Sequence, residues 1–322
     1  MSAAELTLKT LRMEQQGRVL IARVNDPPYN FMTARMQRDL DALSRAVDQD
    51  RSVGAVILTG ETSNRFITHF DIAEILAAGE RGRKGVSESV MRTLMRGVEV
   101  LQRVPGSGAV IEASPVSGIL NVSRFNEVVL RIMRSPAVWI AAINGPCGGG
   151  GIEMSVCFDV RLAADDVPII LPELLIGLTT TVGAQRLVQL IGPARALEML
   201  LEGRPYPAPE ALEMGLIGHV VPRAELLGQA IAMGALYATR NRDTIAAQKR
   251  IFNEYALMSP ADALRAEGAA NASGVVSGVA PTALRRWVEM QDDLGGESVF
   301  LGNLEPWRRG EVLDLNRAEE QR

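Results

Sequence analysis

The sequence predicts an α/β fold with a helical C-terminal region, and three observations carry that prediction. A strand–helix–strand unit opens the chain, a second buried strand runs straight into four glycines and a helix, and the last third is Ala-rich and helical. Residues 18–24 are apolar and β-branched, and Asn25-Asp26-Pro27-Pro28 stops them, which reads as a strand and a turn. From Thr33 the period changes. Met36, Leu40, Leu43 and Val47 recur at helical spacing with Asp39, Asp41, Arg45 and Asp48 between them. Residues 54–60 form a short apolar run bracketed by glycines, the pattern of a strand buried on both faces. Strand, helix and strand in this order imply a parallel crossover.

Residues 72–136 are helical in character but poorly patterned, with breaks at 82–85 and 105–108, so two or three helices are expected there. Residues 136–145 read as another buried strand, and 160–164 and 169–171 as two short ones. Helix dominates 184–238, with stops at Gly192-Pro193, at 205–209 and at Pro222. The chain divides on this reading into a core over 1–225, a helical region over 226–309 and a charged tail over 310–322.

At 322 residues with 47% hydrophobic content, the chain can bury a sizeable core without a disulfide or metal staple. The net charge of −4 gives no basic footprint, so neither nucleic acid nor an anionic membrane is expected as the main partner. Two cysteines, Cys147 and Cys157, make neither a disulfide framework nor a zinc site, and suit a reducing compartment. Residues 1–18 mix charges into their apolar positions, unlike a signal peptide, and no apolar run approaches the ~18 residues of a membrane span. A soluble, cytoplasmic protein is the expectation.

The chemistry concentrates in Asn144-Gly145-Pro146-Cys147-Gly148-Gly149-Gly150-Gly151-Ile152-Glu153. Glycines let a ligand approach the backbone, and the first N–H groups of a helix lack intrahelical partners, so this joint can stabilise an oxyanion. The plainer reading is a flexible strand-to-helix joint. The spacing fits no phosphate-cradling loop of the nucleotide-triphosphate type.

With Phe66-Ile67-Thr68-His69-Phe70-Asp71 upstream and Leu171-Pro172-Glu173-Leu174-Leu175-Ile176-Gly177-Leu178 downstream, this segment resembles the enoyl-CoA hydratase/isomerase (crotonase) superfamily. Asp26-Pro27-Pro28-Tyr29-Asn30, Gln185-Arg186-Leu187, Ile191-Gly192, Gly203 and Gly215-Leu216-Ile217 agree in order, so the resemblance runs over about 18–225. It implies a spiral of repeated ββα turns, a C-terminal helical region used for oligomerisation, and a homotrimer or homohexamer. It implies an acyl-CoA thioester substrate, with coenzyme A part of that substrate, no separate cofactor and no metal. The resemblance puts the thioester oxygen between the backbone N–H groups of Phe70 and Gly150. It makes Glu153 and Glu173 the catalytic carboxylates and assigns Asp71, Gly149 and Gly151 to substrate binding. Taken without the resemblance, both glutamates are acids in a first helical turn.

Three departures stand out. Where the family's loop carries glycine and a small residue, this chain has His69 and Phe70, which adds bulk at the mouth of the oxyanion hole. His69 reads either as a third acid/base group or as a hydrogen-bonded structural histidine. The stretch between Asp71 and Pro136 is long, and an insertion there is expected to lie over the acyl pocket. The C-terminal helix lacks the family's usual basic ending; Arg285-Arg286 reads as a contact for the CoA phosphates or as solvated surface, and His219 as structural. Hydration of a trans-2-enoyl-CoA is the leading expectation. Isomerisation, CoA-independent C–C hydrolysis of a β-diketone through His69, and non-catalytic acyl-CoA binding with Phe70 blocking the site are the alternatives.

Overall fold

A computed structural model of the chain describes residues 2–81, 85–102, 114, 117–276, 279–294 and 305–313. Two antiparallel strands, β1 (Leu11–Gln16) and β2 (Val19–Val24), open the fold about Gly17, whose φ of +55° makes the turn. Helix α1 (Ala34–Gln49) follows, its first turn capped by the Thr33 hydroxyl, which accepts from the Met36 N–H. Met36, Leu40, Leu43 and Val47, the residues at helical spacing, are its fully buried face. Strand β3 (Ala55–Gly60) then pairs parallel to β2, with Val19 opposite Ala55, so the crossover expected from the sequence is present.

Among the described residues the long stretch before the next strand holds three helices: α2 (Ile72–Arg81), α3 (Glu88–Gln102) and α4 (Ser117–Arg134). Helix α4 lies on α1, where Arg131 donates to Asp41 at 2.7 Å. The break expected at 105–108 and the tail from 314 lie outside the described residues.

From there the chain alternates between two sheets. Strand β4 (Val138–Ile143) lies in the large sheet, and β5 (Cys147–Gly148) in a small one; helix α5 (Gly150–Ser155) follows. The next turn repeats the pattern with β6 (Val160–Ala164), β7 (Pro168–Ile170) and helices α6 (Ala184–Ile191) and α7 (Pro193–Glu202). Strand β8 (Tyr206–Pro207), helix α8 (Ala208–Glu213) and β9 (His219–Val221) complete the climb. The large sheet runs β1-β2-β3-β4-β6-β9, parallel from β2 onward, and the small one β5-β7-β8. These are the expected ββα turns. Strands β1, β5, β8 and β9 were not legible as strands; β1 is an edge strand exposed along one face, and β5 and β8 are two residues long.

Helix α9 (Leu226–Tyr237) crosses the large sheet so closely that a methyl group on Gly234 would meet Val19 at 3.2 Å. Helix α10 (Arg242–Asn253) follows, with the Asn241 side chain capping it. Arg242 reaches under α1 to the carbonyls of Val47 and Asp48 in the last turn of that helix and to that of Val53 beyond it. Helices α11 (Pro260–Val276) and α12 (Ala280–Asp293) extend beyond, with no fully buried residue.

Candidate active site

The site begins where β3 and β4 end. The Asn144 side chain bridges them, accepting from the Gly60 N–H at 3.0 Å and donating to the carbonyls of Gly60 and Thr62 at 3.1 and 2.7 Å. The chain leaving β3 is thereby steered back along the glycine segment. Contact between the two is backbone to backbone: a Cβ on Gly148 would come within 2.7 Å of the Thr68 carbonyl, and one on Gly151 within 2.2 Å of the Ile67 carbonyl. Gly149 carries a φ of +42°, and a Cβ there would press on Glu173 Oε1 at 3.2 Å and on His69 Cβ at 3.5 Å. The glycines are therefore a close-approach surface rather than a flexible joint.

That surface gives a first test. Gly151→Ala is expected to cost roughly 2–3 kcal/mol of stability, because a backbone carbonyl has nowhere to yield. Gly228→Ala, in helix α9 with nothing within 4 Å, is the control and should leave stability unchanged or raise it. Equal denaturation midpoints for the two variants would remove the close-approach argument.

Two backbone N–H groups beside this contact have no partner among the described residues. The His69 carbonyl accepts from the Met32 N–H at 2.8 Å. The N–H of the same trans peptide, that of Phe70, points the opposite way and has no partner among the described residues. The Gly149 N–H is held by the Ile170 carbonyl at 3.2 Å, leaving the next one, that of Gly150, likewise unpaired among the described residues. Helix α5 starts at Gly150, two residues earlier than its sequence suggests, so Glu153 lies in its first turn. The Phe70 ring covers Gly150: a Cβ there would be 2.9 to 3.1 Å from three ring atoms. The ring then packs edge-on against Phe125 of α4, with centroids 5.5 Å apart. A helix of the long 72–136 stretch thus touches the site.

Glu153 and Glu173 are 2% and 7% exposed. Glu153 Oε1 accepts from the Thr181 N–H at 2.7 Å, whereas Oε2 of each carboxyl is buried and has no hydrogen-bond partner among the described residues. Burial pushes Glu153 up to about 8, and repulsion from Glu173 adds to that, against the opposing bonds from Thr181 and Val182. Burial raises Glu173 as well. A carboxyl placed only to favour a helix start would remain in water, so burial without a cation is what separates these two from that reading. Beside Glu153 lies a void bounded by Ile152, Leu171, Thr180, Val182 and Leu187, with room for roughly one water.

The other expected site residues fall as follows. Asp71 accepts from the N–H groups of Ala73 and Glu74 at 2.9 and 3.2 Å, capping helix α2. His69 lies beside Gly149, its ring stacked on Phe31. His219 is exposed on β9, and Arg285 and Arg286 are exposed on α12. Among the described residues no group of three His, Cys, Asp or Glu side chains could hold a metal. Sequence reasoning missed Met32, Phe31, Phe125, Thr181 and Ile170, all of which act through backbone groups or packing. One signal was available for Thr181: Gly183, whose Cβ would lie 2.4 Å from the Glu153 carbonyl, marks where that loop returns to α5.

The sequence model of the enoyl-CoA hydratase/isomerase family matches residues 119–283, just over half of the chain. A probable enoyl-CoA hydratase of Rhizobium meliloti is 29% identical over 81% of this chain and 88% of its own length. A short-chain-enoyl-CoA hydratase of Clostridium acetobutylicum is 28% identical over 70% of this chain and 74% of its own. Among solved structures, Pseudomonas aeruginosa DspI superposes with a TM-score of 0.71 at 23% identity, covering 90% of this chain and 98% of that one. An enoyl-CoA hydratase from Geobacillus kaustophilus gives 0.71 at 23% identity, covering 88% and 96%. The two-sheet climb has the fold of these structures, and the matched segment holds the glycine run and both buried glutamates: the chain belongs to the enoyl-CoA hydratase/isomerase family of enzymes.

Proposed function

We propose that the protein hydrates a trans-2-enoyl-CoA to a 3-hydroxyacyl-CoA. The observation that carries this reading is the pair of buried carboxyls, each with an unpartnered oxygen, beside two unpaired backbone N–H groups. Burial raises both carboxyls and Glu173 repels Glu153, so a protonated acid and an ionised base can work as a pair. The base takes a proton from water, whose oxygen bonds to C3. Electrons of the C2–C3 double bond move toward the thioester, forming an enolate whose oxygen lies between the N–H groups of Phe70 and Gly150. Each such donor lowers the barrier by about 3 kcal/mol. The acid then delivers its proton to C2. No separate cofactor enters, and coenzyme A leaves as part of the product.

Isomerisation needs only one carboxyl as a proton shuttle, and the burial of both favours hydration over it. A homotrimer or homohexamer goes with this reading; Leu257, Leu264 and Val276, at 80%, 68% and 80% exposure, support burial against a second copy. No helix among the described residues is long and apolar enough to cross a membrane, and a cytoplasmic location is part of the proposal.

The test is loss of the conjugated enoyl-thioester absorbance over a series of trans-2-enoyl-CoA chain lengths. Turnover by the wild type, reduced roughly 10²–10⁴-fold in Glu173→Gln, is the expected result. Wild-type turnover that Glu173→Gln leaves intact would shift the reading to a one-carboxyl isomerase.

A further inference from the structure

His69 directly precedes Phe70, whose N–H is unpaired among the described residues. Its Nδ1 lies 2.5 Å from the Phe70 carbonyl oxygen. A carbonyl only accepts, so Nδ1 carries the proton and donates it. The ring is stacked on Phe31 with centroids 4.4 Å apart, and Phe31 on Tyr29 at 4.8 Å. On its backbone side, His69 gives its carbonyl to the Met32 N–H, and Thr68 Oγ1 donates to the Tyr29 carbonyl at 2.9 Å. The loop over 29–32 therefore grips residues 68–70 at three points: the ring stack and two hydrogen bonds to its backbone, of which the Met32 bond belongs to the parallel bridge between Met32 and Phe70.

Two peptide planes flank Phe70. The first, whose N–H is unpaired, is fixed through the His69 carbonyl. The second is fixed through the Phe70 carbonyl, and its only side-chain partner among the described residues is the His69 ring. With both planes held, φ and ψ of Phe70 have no remaining freedom, and the direction of its N–H is set.

We propose that His69 is a positioning residue: its Nδ1–H, bonded to the Phe70 carbonyl, aims the Phe70 N–H at the substrate carbonyl oxygen. The inference rests on the hydratase reading above and assigns His69 no proton transfer. The aromatic stack holds the ring; the hydrogen bond performs the aiming.

Two variants separate these contributions. His69→Phe keeps a ring for Phe31 but removes the donor, and His69→Asn places an amide N–H where Nδ1 was but removes the stack. Turnover is measured with the best enoyl-CoA. Carbonyl polarisation is read independently from the absorption shift of bound 4-dimethylaminocinnamoyl-CoA, whose chromophore is conjugated to the thioester. Circular dichroism establishes that each protein is folded at the assay temperature. The expected result for His69→Phe is a fall in kcat of roughly 10²-fold with KM within threefold, and loss of most of the red shift. His69→Asn should retain at least a third of both.

An equal loss in both variants would make His69 an acid/base group and overturn the inference, and so would no loss in either. Retention in His69→Phe with loss in His69→Asn would move the role to the stack, again overturning it. A wild type that neither turns over enoyl-CoA nor shifts the probe would overturn the hydratase reading and this inference together. A shift present in wild type and unchanged in His69→Phe overturns the inference alone.

Discussion

Glu153→Gln is expected to lower kcat by roughly 10²–10⁴-fold and, in the same protein, to raise stability at neutral and higher pH. The second effect follows from burial. The carboxyl has an ordinary value of 4.5 and is pushed up to about 8 in the fold. Between those values the folded state holds a proton that the unfolded chain has released. Stability is therefore fully present below pH 4.5 and declines as pH rises toward 8. The full decline from this one group is roughly 5 kcal/mol. Glutamine is neutral throughout and escapes it, while keeping an oxygen for the Thr181 N–H. Asp48 and Asp159, also raised by burial, titrate alike in both proteins, so the difference between variant and wild type reads Glu153 together with its repulsion of Glu173. Urea midpoints at pH 5, 6.5 and 8 check this. Wild type and variant should converge at the lowest pH and separate at the highest; parallel behaviour would mean the carboxyl is not held in a desolvated state.

The second large effect is structural. Lys249→Met is expected to destabilise the fold by about 3–5 kcal/mol. Lys249, 7% exposed in helix α10, lies 2.6 Å from Asp159 Oδ2 and donates to the carbonyls of Ala137 and Ile132 at 2.7 and 3.3 Å. Asp159 in turn accepts from the Trp139 N–H at 2.7 Å. Burial pushes Lys249 down and Asp159 up, and their mutual attraction opposes both shifts. Removing the ammonium alone leaves a carboxylate and two carbonyls without their donor, whereas Asp159→Asn in the same protein removes the stranded charge. The double variant should recover much of the loss in a thermodynamic cycle. Strictly additive losses would show that the two groups do not act as a pair.

Lys249 also illustrates what a sequence can and cannot convey. Its job is not legible in the sequence, because Ile132, Ala137 and Asp159 lie about 90 to 120 residues away along the chain and only the fold assembles them. The helix over 34–49 was legible because its apolar period of three and four residues is itself the packing rule for one buried face. The parallel strands over 19–24, 55–60 and 138–143 were legible because strands buried on both faces must be continuously apolar. Strand β1 was not, since its exposed side carries Arg12, Glu14 and Gln16 and only its pairing with β2 makes it a strand.

At the site, the sequence by itself determined the glycine run, the two glutamates and the family pattern that orders them, because each depends on residue type at a position. Tertiary structure decided the rest. Burial of Glu153 and Glu173, the unpaired N–H groups of Phe70 and Gly150, the seating of the Phe70 ring and the grip of residues 29–32 on His69 depend on distances between segments remote in sequence. Residue type sets what a group can donate, accept or ionise; only the assembled fold sets its solvent exposure and its partners, and for a buried carboxyl these shift the proton equilibrium by more than its chemical identity does.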